Sequence, residues 1–140
     1  MQQRLIYVMD PMCSWCWGLA PLIDAIFQAH PDVPVHLVAG SLRPHLQAPL
    51  DNASRQALAA HWQSVAALSG QPFSDPQALP EPLIYNVRPA SQALIVARAL
   101  DVERLWPFVR AMQQAFFAEC MDITRPAVLL EIAAANGYDP

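Results

Sequence analysis

Two short apolar runs on either side of a helix-like stretch restrict this chain more than any other feature. Leu5-Ile6-Tyr7-Val8-Met9 is rich in β-formers and is stopped by Asp10-Pro11, which fits a buried strand. Val33 to Ala39, "VPVHLVA", reads as a second strand closed by Gly40. Between them Leu19, Leu22, Ile23, Ile26 and Phe27 recur at helical spacing until His30-Pro31 ends the pattern. Pro21 falls inside this helix and predicts a kink. Strand, helix and strand in such close succession form a βαβ unit, whose crossover is right-handed in about 98% of cases. Both strands are apolar and β-branched, so a sheet covered on both faces is expected.

The remainder reads as helical. Asp51 or Asn52 can cap a helix carrying Leu58, Trp62, Val65 and Leu68, ended by Gly70. A connection rich in proline follows, from Pro72 to Pro89, and then a helix over Ala90–Leu100. Val102, Leu105, Trp106, Val109, Met112, Phe116 and Cys120 form a long stripe at helical period, with a break expected at Pro107. Thr124 is placed to cap a last helix, Val128–Asn136, ended by Gly137. At 140 residues the prior is one domain, with a βαβ core over 4–40 and a helical block over 51–137.

Composition removes several classes of function. The chain is 54% hydrophobic and 14% charged, which is globular and not disordered. Net charge is −4, and the basic residues are all arginines, scattered from Arg4 to Arg125, so nucleic acid is not an expected partner. Leu5–Met9 is too short for the core of an export signal, and no apolar run approaches membrane-spanning length. A soluble, cytoplasmic protein with no membrane association is expected.

The chemistry sits between the first strand and the helix, in "MDPMCSWCWGLAP". Cys13 and Cys16 could bind metal, staple the fold or exchange disulfides. Structural zinc needs four ligands; Cys120 stands alone and His30, His36, His45 and His61 form no closely spaced pair. Trp17 follows Cys16 where haem attachment needs His. No metal or cofactor is therefore expected. Three cysteines cannot all pair, and a reducing cytosol would not keep a structural disulfide. A Cys-x-x-Cys that opens a helix inside a βαβ unit is the thioredoxin-like arrangement. Unpaired amides and the helix dipole at the first turn stabilise a thiolate there. Lowering a cysteine pKa from about 8.5 to about 7 takes roughly 2 kcal/mol, within reach of several such interactions. Cys13 is the expected exposed nucleophile, and Cys16, one turn later, is placed to resolve the mixed disulfide.

The segment "DPMCSWCWGLAP" resembles the active-site segment of DsbA-family thiol–disulfide oxidoreductases, especially the FrnE-like branch with its Asp-Pro-x-Cys-x-Trp-Cys pattern. The likeness continues through "RPASQALIVARAL" and "AFFAECMDI". It implies an α/β fold, a thioredoxin-like βαβ with a helical insertion, and nucleophile and resolving roles for Cys13 and Cys16. Disulfide or dithiol proteins are the implied clients, with glutathione or a reductase as recycling partner. A related isomerase and kappa-class glutathione transferase branch shares the fold but generally carries Ser where Cys13 stands. A non-catalytic binding domain is the alternative of another kind.

Trp15 and Ser14, between the cysteines, are the candidate client contacts, with simple packing as the alternative for Trp15. Asp10 reads as a turn former and cap for the active-site helix, with a proton-accepting role as the rival. Trp17 and Pro21 read as structural, and Cys120 as a buried, inert thiol.

The resemblance also implies a cis-proline loop, a β-hairpin and a last helix after the helical block. None of the fourteen prolines occupies that loop's position, and Pro89 comes earlier, at the start of a helix. An incomplete sheet is the expectation, and an unpaired apolar edge invites association. The 140-residue chain is thus expected either to self-associate or to be part of a longer protein, and to exchange disulfides weakly beside a longer version. Light scattering and an insulin-reduction assay check this, a fully active monomer being the contrary result.

Overall fold

The structure, a computed structural model, describes residues 2–42 and 46–139. Strand β1 (Leu5–Met9) leads through a short turn into helix α1 (Ser14–Ala29), which returns the chain to β2 (Val35–Ala39). The strands pair in parallel, with Leu5 opposite Val35 and Met9 opposite Ala39. β2 begins two residues later than its hydrophobicity suggests. Pro34 has no N–H to give to a ladder, although its carbonyl already accepts the Leu5 amide at 2.9 Å.

Helices α2 (Asn52–Ser69), α3 (Arg88–Leu100), α4 (Leu105–Phe117) and α5 (Pro126–Ala135) follow. Asp51 caps α2 by accepting the Ser54 amide at 2.7 Å, and Gly70 ends it in the left-handed conformation, φ 73°. α3 starts at Arg88, not Ala90, with Pro89 in its first turn where no amide partner is needed. The break expected at Pro107 does not occur, because Pro107 also lies in a first turn, that of α4. The stripe is divided nearer its start: Val102 lies in a single 3₁₀ turn, Val102–Arg104, capped by Asp101, and α4 begins only at Leu105. At its other end the stripe outruns the helix: Cys120 lies beyond Phe117 with φ 51°. Thr124 does not cap α5; Arg125 holds that position without a side-chain bond, while Thr124 is engaged with Asp122. The Glu81–Pro82 peptide is cis and borders Leu50 and Asp51.

The core lies among the helices. Trp62 packs edge-on or tilted against Phe73, Phe116 and Phe117, with ring centroids 5.1 to 5.8 Å apart. The sheet is covered on one face only, contrary to the two-faced burial expected. Tyr7 and Leu37 turn toward the helices, whereas Ile6 and Val8 on the other face are 51% and 60% exposed.

Two features hold α1 in place. Pro21 cannot donate to the Trp17 carbonyl, and the Gln71 side-chain amide supplies that bond at 3.0 Å. Gly18 lets α1 approach α2 closely: a Cβ there would lie 2.9 Å from Val65 Cγ1 and 3.2 Å from Ser69 Cβ. Gly18→Ala should therefore destabilise by about 1–2 kcal/mol, reversing the roughly 1 kcal/mol that helix propensity alone would add. Urea unfolding of this variant, of Val65→Ala and of the double variant should reveal coupling between the two sites.

Candidate functional site

The turn between β1 and α1 is built by Asp10. Its carboxylate accepts the Met12 amide at 2.7 Å and the Leu42 amide at 2.9 Å, while its carbonyl accepts the Cys13 amide at 3.1 Å. Asp10 is thus a turn former, as its type suggests. It is not the helix cap, for Cys13 itself occupies the N-cap position of α1. The Tyr85 hydroxyl donates to the Met12 carbonyl and ties this turn to the proline-rich connection.

Cys13 and Cys16 lie 3.7 Å apart, both partly exposed, with Cys16 the deeper of the two. The hydrogen bond from the Cys16 thiol holds the Cys13 pKa down, to about 6; burial opposes this, and the Cys16 and Trp15 amides assist. Asp10 works weakly the other way through its charge. Cys16 is pushed far up, first because it donates to Cys13 and second because it is buried. One thiol is drawn toward its thiolate and the other is held protonated.

A groove of about 160 Å³ runs beside Cys13, lined by Met12, Ser14, Trp15, Leu58, His61 and Tyr85, among others. Ser14 is 5% exposed at the first position of α1, while Trp15 is 42% exposed and points outward. His61 of α2 meets the Trp15 ring edge-on at 6.1 Å. Trp17 is buried, and its indole N–H donates to the Pro72 carbonyl at 3.0 Å. Cys120 is buried elsewhere in the chain's packing, beyond α4; its thiol donates to the Asp75 carbonyl at 3.3 Å and burial raises its pKa. His45 lies outside the described residues. Among the described residues no group of three metal-ligating side chains comes together, and no helix is long and apolar enough to cross a membrane.

Three contributors escape a reading of the sequence. His61 frames the groove from a helix far along the chain, and nothing local to it signals that. Asp24 of α1 accepts from the Trp106 indole and the Arg110 guanidinium of α4, whose cation also stands 5.5 Å from the Trp17 ring centroid. Tyr7, in β1, faces Cys16, and only strand alternation hinted at its direction.

The family profile described as a DSBA-like thioredoxin domain matches residues 4–140. Among solved structures, one from Nitrosomonas europaea, provisionally described as a protein disulfide isomerase, is 34% identical with a TM-score of 0.84, covering 98% of this chain and 66% of that one. The cytosolic disulfide reductase DsbM from Pseudomonas aeruginosa is 29% identical with a TM-score of 0.81, covering 96% of this chain and 64% of that one. The ClpXP adapter protein SpxH from Bacillus subtilis (strain 168) is 28% identical over 137 residues, 93% of this chain and 43% of its own length. The chain thus spans about two thirds of the solved structures and under half of that curated relative.

The asymmetry of the pair predicts an order of labelling. Cys13 should alkylate first with iodoacetamide, its rate rising through pH about 6, where its thiolate forms, and levelling above. Cys120 and Cys16 should respond only in more alkaline solution, because their values are raised. Mass-spectrometric mapping of labelled peptides against pH makes the comparison.

Proposed function

The chain belongs to the DSBA-like thioredoxin domain family, and from that premise we propose that it exchanges disulfides with thiol clients through Cys13 and Cys16. The observation that carries this reading is the placement of two free thiols 3.7 Å apart at the start of α1, Cys13 at its N-cap, and their opposed ionisation agrees with it. In the reducing direction the Cys13 thiolate attacks one sulfur of a client disulfide and forms a mixed disulfide, and the other client sulfur leaves as a thiolate and takes up a proton. Cys16 then loses its proton and attacks Cys13, the client leaves reduced, and a Cys13–Cys16 disulfide remains. The dithiol has given two electrons.

The groove suits an extended client segment with an apolar residue beside its cysteine. Trp15 offers the outward aromatic surface and Ser14 lines the wall. Reductase work in the cytosol is the direction we favour, since the similar DsbM is described as a cytosolic disulfide reductase. Glutathione is the recycling partner we favour, since a DsbM structure holds GSH. The likeness to SpxH favours a second reading, in which the same surface binds a protein without turnover.

One variant separates the two. Cys16→Ser should leave Cys13 able to attack but unable to be released, so that mixed disulfides accumulate on non-reducing gels and multiple turnover of insulin disulfides falls to near background. A protein that only binds would accumulate no such species, and a variant that turns over normally would reject the two-thiol scheme.

A further inference from the structure

Tyr7 takes no part in the steps above, yet it stands directly behind them. It lies in the middle of β1 opposite Leu37, and its ring meets Trp106 edge-on at 6.3 Å. Its hydroxyl is shut off from solvent and makes no hydrogen bond of ordinary geometry, to oxygen or to sulfur, while the thiols stand as they are. The group it faces is the Cys16 sulfur. A buried hydroxyl without a settled partner costs stability, so a phenylalanine would be the cheaper residue for packing alone.

We propose that Tyr7 is a catalytic residue of the resolving step, donating a hydrogen bond to the Cys16 sulfur as that sulfur becomes anionic. The inference rests on the dithiol reading above. Before the first attack, the Cys16 thiol donates to the Cys13 thiolate and needs nothing more. Once Cys13 is tied up in the mixed disulfide, that acceptor is gone, and Cys16 is left as a buried thiol whose ionisation burial opposes.

Its proton must leave while its electron pair forms the new bond to Cys13. The bond between Cys13 and the client breaks in the same displacement, and the departing client thiolate takes up a proton. Tyr7 keeps its own proton throughout, because burial and then the neighbouring sulfurs push the phenol well above its ordinary value. It is therefore a donor and not a base, and its bond to Cys16 favours the thiolate.

The other groups on this side are already engaged. Asp10 approaches Cys16 through its backbone, and its carboxylate holds the Met12 and Leu42 amides. From α1 and α4, Asp24 and Arg110 are bound to each other.

The test uses the 140-residue chain. In a Cys13→Ser background, thiolate absorbance should show Cys16 ionising about tenfold less readily when Tyr7→Phe is added. With both cysteines present and a fluorescent thiol preloaded on Cys13, Tyr7→Phe should slow release by about 10–100-fold at neutral pH. The deficit should shrink as pH rises, while alkylation of Cys13 stays near its original rate. Equal Cys16 titration and equal release with and without the hydroxyl would overturn the proposal.

Should Tyr7→Phe not fold, 3-fluorotyrosine placed at Tyr7, Tyr85 and Tyr138 gives a second readout in the Cys13→Ser chain. The Tyr7 fluorine resonance should move as Cys16 titrates, and a stationary resonance would overturn the contact. The titration needs no client, so failure of the parent chain to form mixed disulfides would refute the exchange reading alone.

Discussion

The hydrogen bond from the Cys16 thiol, assisted by the amides of Trp15 and Cys16, draws Cys13 toward its thiolate only while the first turn of α1 holds its shape, and several tethers hold that turn. Asp10 ties the incoming loop to Met12 and Leu42, and Tyr85 secures the Met12 carbonyl from the proline-rich connection. Gly18 lets α1 settle onto Val65, and Gln71 takes over the carbonyl that Pro21 leaves unbonded. None of these groups reacts. Each removes a way for the helix start to drift, and a shift of about 1 Å is enough to spoil such geometry.

The same helices that build the core also shape the site. On α2, Trp62 points into the aromatic cluster with Phe116 and Phe117, and its neighbour His61 points out to meet Trp15. On the opposite side of α1, Asp24 joins the indole of Trp106 and the guanidinium of Arg110, so α4 fixes the helix from below. The groove wall is therefore as rigid as the packing behind it. Close-packed interiors transmit small displacements instead of absorbing them.

Local chemistry was legible in the sequence and distant chemistry was not. The bounds of β1, the start of α1 after Cys13 and the Asp51 and Gly70 caps all follow from residues within a few positions. Errors arose where a proline carried two meanings. Pro107 reads as a breaker, but in a first turn it costs nothing, and Pro34 delays a strand that hydrophobicity alone would begin at Val33. Thr124 has the chemistry of a cap, yet the nearer Asp122 claims its hydroxyl. The bare face of the sheet, Ile6 and Val8, has the composition of a buried one, since composition does not say what covers it. At the site, the pair of cysteines was plain, whereas Asp24 meets its partners 82 and 86 residues away, a relation that no local pattern encodes.

The electrostatics of the pair follow from what is absent in the shifts as much as from what is present. The interactions that lower Cys13 are hydrogen bonds, first from the Cys16 thiol and then from the Cys16 and Trp15 amides. The charge acting on it among the described residues is that of Asp10, which works against the thiolate. The guanidinium of Arg110 on α4 is paired with Asp24. Stabilisation of this kind is short in range and directional, so ionic strength screens it far less than it would an exposed ion pair. It also depends on protonation of the partner: when Cys16 ionises or forms a bond, the largest contribution to the Cys13 thiolate disappears. The two sulfurs are thus one unit. Reduced, they share a proton that draws Cys13 toward its thiolate; in the exchange proposed above, a bond between them would leave no thiolate to stabilise.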